Sequence, residues 1–243
     1  MDLKERRLNF LSGKERKVSK VERIICLLIG YVFGLFQTAY IYGKIHGIDI
    51  RNYGSGNAGT TNTMRVLGTK AGLIVLFGDI IKCILAIVIT GFLFGKAHPD
   101  RIYLLKIYAA AGAILGHNFP FYLHFKGGKG IAATAGLILS FHPYFIPMGI
   151  ILFFGAFFTT HYVSLGSLLV YAGFMIEIVV LGQTGIFGAM DQAHLIELYI
   201  VAAFLTVMAY YKHRENIVRL LKGEERKTYL THKNKDTEEK KDA

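Results

Sequence analysis

Long apolar runs alternate along the chain with short polar segments that are rich in glycine and basic residues. A helix that crosses the hydrocarbon core of a membrane needs about 20 apolar residues. The runs lie at residues 24–45, 71–94, 102–116, 131–141, 143–158, 162–181 and 195–211. The fourth run is short, because Pro143 in the sequence SFHPYF separates it from the fifth. The pattern predicts an all-α, polytopic membrane protein with about seven transmembrane helices.

The composition supports this class and excludes others. Hydrophobic residues make up 53% of the chain, and the net charge is +11. The basic residues flank apolar runs and form no single stripe, so we exclude nucleic-acid binding and expect contact with anionic membrane lipid. Cys26 and Cys83 lie inside apolar runs and are interpreted as buried small hydrophobes. No spacing typical of a metal site occurs, and we expect neither a metal nor a cofactor.

Three regions follow from this pattern. We expect a basic N-terminal extension at 1–23, a multi-pass helical domain at 24–222 and a charged, disordered tail at 223–243.

The distribution of basic residues predicts the orientation. Residues 182–194 contain no Lys or Arg, whereas the segment after 211 is basic, so the positive-inside rule places the second segment in the cytoplasm. Counting back through the crossings places 47–68, 123–130 and 159–161 on the cytoplasmic side as well. The same count puts the basic N-terminus outside, against the rule. Either the other loops outweigh it or the number of crossings differs by one.

The first polar segment, GSGNAGTTNTMR, has a composition that suits an anion. Its glycines let the backbone approach a ligand closely, and either Thr61 or Asn62 is suited to cap the following helix. Arg65 is expected near the start of that helix, where free N–H groups and a guanidinium together favour phosphate. The candidate binding residues here are Gly54, Ser55, Asn57, Thr61, Asn62 and Arg65.

The second segment, FKGGKG, precedes an apolar helix. The amides of Gly127 and Gly128 could hold phosphate oxygens while Lys129 adds charge, although the sequence is not a nucleotide-binding Walker A motif. Lys126 is expected to be a supporting charge at the interface. His117, a few residues earlier, is a candidate base or a structural residue.

The third segment, KHRENIVRLLKGEE, follows the last apolar run. His213 and Asn216 are spaced i, i+3 and are expected to share a helical face. Ser164 adjoins another of the inside segments. Asp79 and Lys82 have the same i, i+3 spacing within the second run, where we expect them to pair, since charges inside a membrane are costly.

These three segments together resemble the motifs of the bacterial membrane glycerol-3-phosphate acyltransferase family that uses acyl phosphate, the PlsY type. The resemblance covers GSGNAGTTNTMRVLG, GHNFPFYLHFKGGKGIAAT and HRENIVRLLKGEE, in order and with the family's spacing. Departures are Thr60, where the family has Ala, and Cys83, where it has Gly after Asp-x-x-Lys.

The resemblance implies transfer of a fatty acyl group from acyl phosphate to the sn-1 hydroxyl of glycerol 3-phosphate, at the cytoplasmic face of the cell membrane. Our mechanistic hypothesis is direct attack of the glycerol hydroxyl on the acyl carbon. In it, Lys129 with Gly127, Gly128 and Ser164 holds the leaving phosphate, and the residues that bind glycerol 3-phosphate are Ser55, Arg65, His213 and Asn216. The base is open between His117, His213 and a substrate phosphate. A soluble enzyme that makes acyl phosphate is a possible partner. The alternative is a transporter for a phosphorylated solute.

Overall fold

The computed structural model describes residues 18–229, within which the secondary structure is helical and no strand occurs. Earlier parts of the predicted extension and the tail from residue 230 lie outside the described residues. The helices are α1 (Lys20–Gly34), α2 (Thr38–Ile45), α3 (Thr60–Leu67), α4 (Thr69–Phe94), α5 (Ile102–Asn118), α6 (Ile131–Phe141), α7 (Phe145–Thr160), α8 (Val163–Gln183), α9 (Gln192–Lys212) and α10 (Arg214–Leu221).

The all-α membrane fold predicted from the sequence is confirmed. Among the described residues, four stretches are long and apolar enough to cross a membrane: Lys20–Ile45, Thr69–Phe94, Val163–Gln183 and Gln192–Lys212. The helices α6 and α7 are shorter and apolar. Large apolar side chains such as Phe92 and Val207 point outward, at 85% and 69% exposure, as expected of a surface that faces lipid.

The first predicted span is broken, since α1 and α2 are separate helices. At the break, backbone carbonyl oxygens lack the hydrogen bonds that a continuous helix would provide. Inside the bundle they must accept hydrogen bonds from other groups of the protein. Nε2 of Gln37 lies 3.0 Å from the carbonyl oxygen of Gly34 and 3.1 Å from that of Gly116. Nζ of Lys82 donates to the carbonyl oxygen of Phe36 at 2.7 Å. The break is therefore fixed by two side chains, those of Gln37 and Lys82.

Small residues allow α1 to pack against α5 at close range. A Cβ atom added to Gly30 would lie 1.9 Å from the carbonyl oxygen of Ala109, and one added to Gly112 would lie 2.0 Å from that of Leu27. Any side chain at these positions would push the two helices apart, so the glycines permit the close contact between α1 and α5.

Contacts between chain segments define two ends of the bundle. At the far end, Glu22 of α1 contacts His98, and Arg23 contacts Glu197 of α9 at 2.7 Å. At the site end, Arg51 donates to the carbonyl oxygen of Leu123. Between these ends the described chain passes seven times, through α1 with α2 and then through α4 to α9 in turn. The start of α1 and the polar motifs thus lie at opposite ends, as the count of crossings predicts.

Candidate functional site

The first motif forms a loop whose backbone is hydrogen-bonded to the side chain of Asn62. Asn62 is buried, its Oδ1 accepts from the amide of Ser55 at 2.8 Å, and its Nδ2 donates to the carbonyl oxygens of Ile50 and Tyr53. Gly54 has a φ of +58°, and a Cβ there would lie 2.4 Å from Oδ1 of Asn62. The loop therefore turns tightly around one amide side chain.

Two expectations about this motif are wrong. The N-cap of α3 is Gly59, and neither Thr61 nor Asn62 has that role, because α3 begins at Thr60 and the Asn62 side chain is used by the loop. Arg65 lies in the last turn of α3 and not near its start. Ser55 is exposed at the rim, while Asn57 and Thr61 are half-buried beside it.

The glycine loop of the second motif closes back onto the end of α5. The amide of Gly127 donates to the carbonyl oxygen of Asn118 at 3.3 Å, and that of Gly128 donates to the carbonyl oxygen of His117 at 3.1 Å. These two amides are thus occupied, contrary to the expectation that they bind phosphate. The amides of the first turn of α6 precede the first bond of that helix, in which the amide of Thr134 donates to the carbonyl oxygen of Gly130 at 2.8 Å, and such first-turn donors suit an anion.

The two loops touch each other at Gly128. A Cβ there would lie 2.1 Å from Nε2 of His117 and 2.9 Å from the carbonyl oxygen of Ala58 in the first motif. Only glycine allows the loop to pass between the two. The backbone of Gly128 thus packs closely against the His117 ring on one side and against the backbone of Ala58, in the first motif, on the other.

Lys129 connects the glycine loop to the third motif. Its Nζ donates to Oδ1 of Asn216 on α10, and Nδ2 of Asn216 donates to Oε1 of Glu225 at 2.7 Å. Burial, assisted by the guanidinium of Arg219, lowers the pKa of Lys129 to about 8. Lys126, by contrast, is exposed. The two lysines of the loop therefore differ in burial, with Lys129 half-buried against α10 and Lys126 exposed.

Glu225 is a further member of the site that the sequence analysis did not single out. Its Oε1 also accepts from Oγ of Ser164 at 3.1 Å, and its Oε2 pairs with Nε of Arg219 at 2.9 Å. Glu225 is the last residue of the third motif, and this position could have identified it as a candidate. Ser164 and Asn216 are brought together through this one carboxylate.

His213 lies where α9 ends and α10 begins, and it is only 4% exposed. Its Nδ1 lies 2.8 Å from the carbonyl oxygen of Ala209, so Nδ1 carries the proton and Nε2 keeps a free electron pair. Burial lowers the pKa of His213 to about 4, with the Lys129 ammonium contributing. The imidazole is neutral at pH 7 and offers an acceptor.

Arg65 faces the segment that follows α10. Its Nη2 donates to Oγ1 of Thr228 at 2.8 Å, and the amide of Thr228 donates to the carbonyl oxygen of His161 at 2.9 Å. Tyr229 packs on the ring of His161 with 4.7 Å between ring centroids. The part of the predicted tail at 224–229 therefore lies across the site end, which corrects the expectation that the tail is disordered from residue 223 onward.

Cations outnumber the single carboxylate of Glu225 among the site residues described above. Within 18–229 there is no group of three or more His, Cys, Asp or Glu side chains that could hold a metal ion. Lys212 adds a cation whose Nζ lies 4.9 Å from the ring centre of Phe119. The arrangement of Lys129, Arg65 and Lys212 around neutral polar groups suits anions.

Comparisons with known proteins give a consistent result. The sequence profile described as "Glycerol-3-phosphate acyltransferase" matches residues 24–223. The chain is 40% identical over 207 residues to the glycerol-3-phosphate acyltransferase of Clostridioides difficile (strain 630), covering 84% of this chain and 94% of that one. It is 41% identical over 203 residues to that of Halalkalibacterium halodurans, covering 83% and 93%.

Solved structures agree with these relatives. The crystal structure of PlsY (YgiH), an integral membrane glycerol 3-phosphate acyltransferase, in its glycerol 3-phosphate form superposes with a TM-score of 0.73 at 28% identity. The match covers 85% of this chain and 96% of that one. The lysophosphatidic acid form of PlsY superposes with a TM-score of 0.69 at 27% identity, covering 86% and 96%.

Proposed function

Because the chain belongs to the glycerol-3-phosphate acyltransferase family, we propose that it transfers a fatty acyl group from acyl phosphate to the sn-1 hydroxyl of glycerol 3-phosphate. The products are lysophosphatidic acid and inorganic phosphate. The transporter alternative is set aside, since the family is one of acyltransferases.

The observation that carries this proposal is an apolar cavity that opens beside the cationic site. The cavity has a volume of about 230 Å³ and lies among α4, α6, α7 and α8. It begins at Ile131, directly after the glycine loop, and extends to Ile150 and Phe154. An acyl chain in this cavity places its activated carbonyl near Lys129 and the first turn of α6.

Acyl phosphate is an activated mixed anhydride, so its transfer requires no covalent enzyme intermediate. The glycerol hydroxyl oxygen forms a bond to the acyl carbon, the bond from that carbon to the phosphate oxygen breaks, and the hydroxyl proton passes to a base. Phosphate is a good leaving group, so positioning and charge neutralisation can supply most of the rate. Lys129 neutralises the leaving phosphate, and the free N–H groups of α6 bind its oxygens.

Glycerol 3-phosphate binds on the other side of the same pocket in this proposal. Arg65 provides a planar guanidinium for the substrate phosphate, and Ser55 lies at the adjoining rim. Asn216 and His213 lie next to Lys129, and the free Nε2 of His213 accepts the hydroxyl hydrogen or orients it. A substrate phosphate oxygen is the second candidate for the base.

The site faces the cytoplasm in this proposal. Basic residues accumulate at the site end after α9, whereas the far-end connector 182–194 has none. The positive-inside rule favours this orientation. A cytoplasmic site gives access to glycerol 3-phosphate and to a soluble enzyme that makes acyl phosphate.

The test compares three acyl donors with the purified protein in detergent: acyl phosphate, acyl-CoA and acyl carrier protein. We expect phosphate release from palmitoyl phosphate that depends on glycerol 3-phosphate, with formation of lysophosphatidic acid. Equal activity with a thioester donor would contradict the acyl phosphate assignment. An acylated serine trapped by rapid denaturation would contradict direct attack, and Ser164→Ala is the control for that residue.

A further inference from the structure

A cluster of buried polar groups lies beneath the glycine loop and has no part in the mechanism above. Asp79 and Lys82 of α4 are 1% and 4% exposed, and His117 of α5 is 2% exposed. Thr38, at the start of α2, donates to Oδ1 of Asp79 at 3.1 Å. Burying charged side chains costs free energy of folding, and such residues inside membrane proteins are commonly functional. We therefore expect this cluster to have a role in the adjoining site.

Lys82 has one acceptor for each of its three hydrogens. Its Nζ lies 2.7 Å from the carbonyl oxygen of Phe36, 2.8 Å from Oδ1 of Asp79 and 2.9 Å from Nδ1 of His117. A lysine ammonium donates three hydrogen bonds and accepts none. Nδ1 of His117 must therefore be the acceptor in its contact with Lys82, and the proton of the neutral ring is on Nε2.

A protonated His117 does not fit this arrangement. Its Nδ1–H would point at the hydrogens of the Lys82 ammonium, and the carboxylate of Asp79 is 3.6 Å from Nδ1. The single carboxylate of Asp79 already balances the charge of Lys82. A second buried cation beside Lys82 would have no partner of its own.

The proton-bearing Nε2 faces the glycine loop. A Cβ on Gly128 would lie 2.1 Å from Nε2, and within 18–229 the structure records no hydrogen bond to this atom. The carbonyl oxygen of His117 accepts from the amide of Gly128, so ring and backbone of His117 both support the loop.

We propose that Lys82, held by Asp79, is a positioning residue that fixes His117 as the Nε2–H tautomer, so that His117 donates a hydrogen bond to an oxygen of the bound acyl phosphate. His117 is then a donor and not the general base. The inference rests on the proposed function for the identity of that oxygen, but the tautomer follows from the contacts of Lys82 alone.

The tautomer is measured on the full-length protein labelled with ¹⁵N-histidine in detergent, without substrate. The His117 signals are identified by their loss in His117→Gln. We expect one protonated and one bare nitrogen, with the proton on Nε2, unchanged between about pH 6 and 8. An imidazolium or an Nδ1–H tautomer overturns the proposal.

Kinetics of variants test the donor role. A glutamine amide places its NH₂ group near the position of Nε2, so His117→Gln should retain activity within about 10-fold of the parent, whereas His117→Ala should lose about 10². Equal losses in the two variants overturn the donor role.

The double variant Asp79→Leu/Lys82→Met removes both charges together and leaves neither unpaired. We expect a lower thermal midpoint, because the carbonyl oxygen of Phe36 and the hydroxyl of Thr38 lose their partners. In the protein that remains folded we expect a mixture of His117 tautomers and a KM for acyl phosphate raised about 10-fold, with the KM for glycerol 3-phosphate unchanged. An unchanged tautomer in this variant overturns the role of Lys82. The NMR measurement uses no substrate, so it tests the tautomer even if acyl phosphate proves not to be the acyl donor. A failure of the proposed function and a failure of this inference are therefore distinguishable.

Discussion

The ammonium of Lys129 donates a hydrogen bond to Oδ1 of Asn216, which lies 87 positions later in the chain. This contact joins the glycine loop to the helix that follows the last pass. It also fixes the orientation of the Asn216 amide, because Nδ2 of that amide donates to Glu225. The cation is thus held at the edge of the pocket by a neutral partner, which leaves its charge available to an anion.

Replacement of Lys129 tests whether that charge is used. We expect Lys129→Ala to lower kcat/KM by about 10² or more, because the leaving phosphate loses its neutralising cation. Lys126→Ala is the matched control on the same loop, since Lys126 is exposed, and it should stay within about 3-fold of the parent. Steady-state assays with both substrates measure this. Near-normal turnover by folded Lys129→Ala would refute the assignment.

The pKa of Lys129 predicts an alkaline limb in the pH profile. Burial lowers this pKa to about 8, so the cation is present below that pH and is lost above it. The pH dependence of kcat/KM, which reports the free enzyme, should therefore fall above about pH 8. Lys129→Arg keeps its charge throughout and should move the limb upward. The same limb in both proteins would mean that another group titrates.

The sequence predicted the large features because each has a local cause. Apolar runs set the helices, and the basic segment after α9 marks the site end. The pairing of Asp79 with Lys82 is confirmed at 2.8 Å, because an i, i+3 spacing inside a membrane leaves few other solutions.

Other features depend on contacts between distant parts of the chain. The break between α1 and α2 is stabilised by Lys82 and by backbone of α5, which no local pattern reveals. The amides of Gly127 and Gly128 are occupied because the loop folds back onto α5. Thr228 reaches Arg65 across 163 positions. Such long-range hydrogen bonds decide which donors are free for substrate.

Gly128 should tolerate no side chain. The added methyl of Gly128→Ala would collide with the His117 ring and with the carbonyl oxygen of Ala58, and overpacking typically costs about 1–3 kcal/mol. We expect a KM for acyl phosphate raised about 10-fold or more as the loop shifts. Gly155→Ala is the matched control, since no atom lies within 4 Å of a Cβ there and Ala favours the helix. Equal kinetics in the two variants would contradict the packing argument.

The passage of the chain between two ends predicts which positions a membrane-impermeant thiol reagent reaches. Single cysteines at Ser12 and Ser55 should label from opposite sides of the membrane, with Ser55→Cys reached from the cytoplasm, because one pass, through α1 and α2, lies between the two positions. Background is low, since Cys26 and Cys83 are both 0% exposed. Labelling is compared in intact cells and in inverted vesicles. Both positions on one side would contradict the seven passes, whereas opposite sides with Ser55→Cys outside would keep the fold and reverse the proposed orientation.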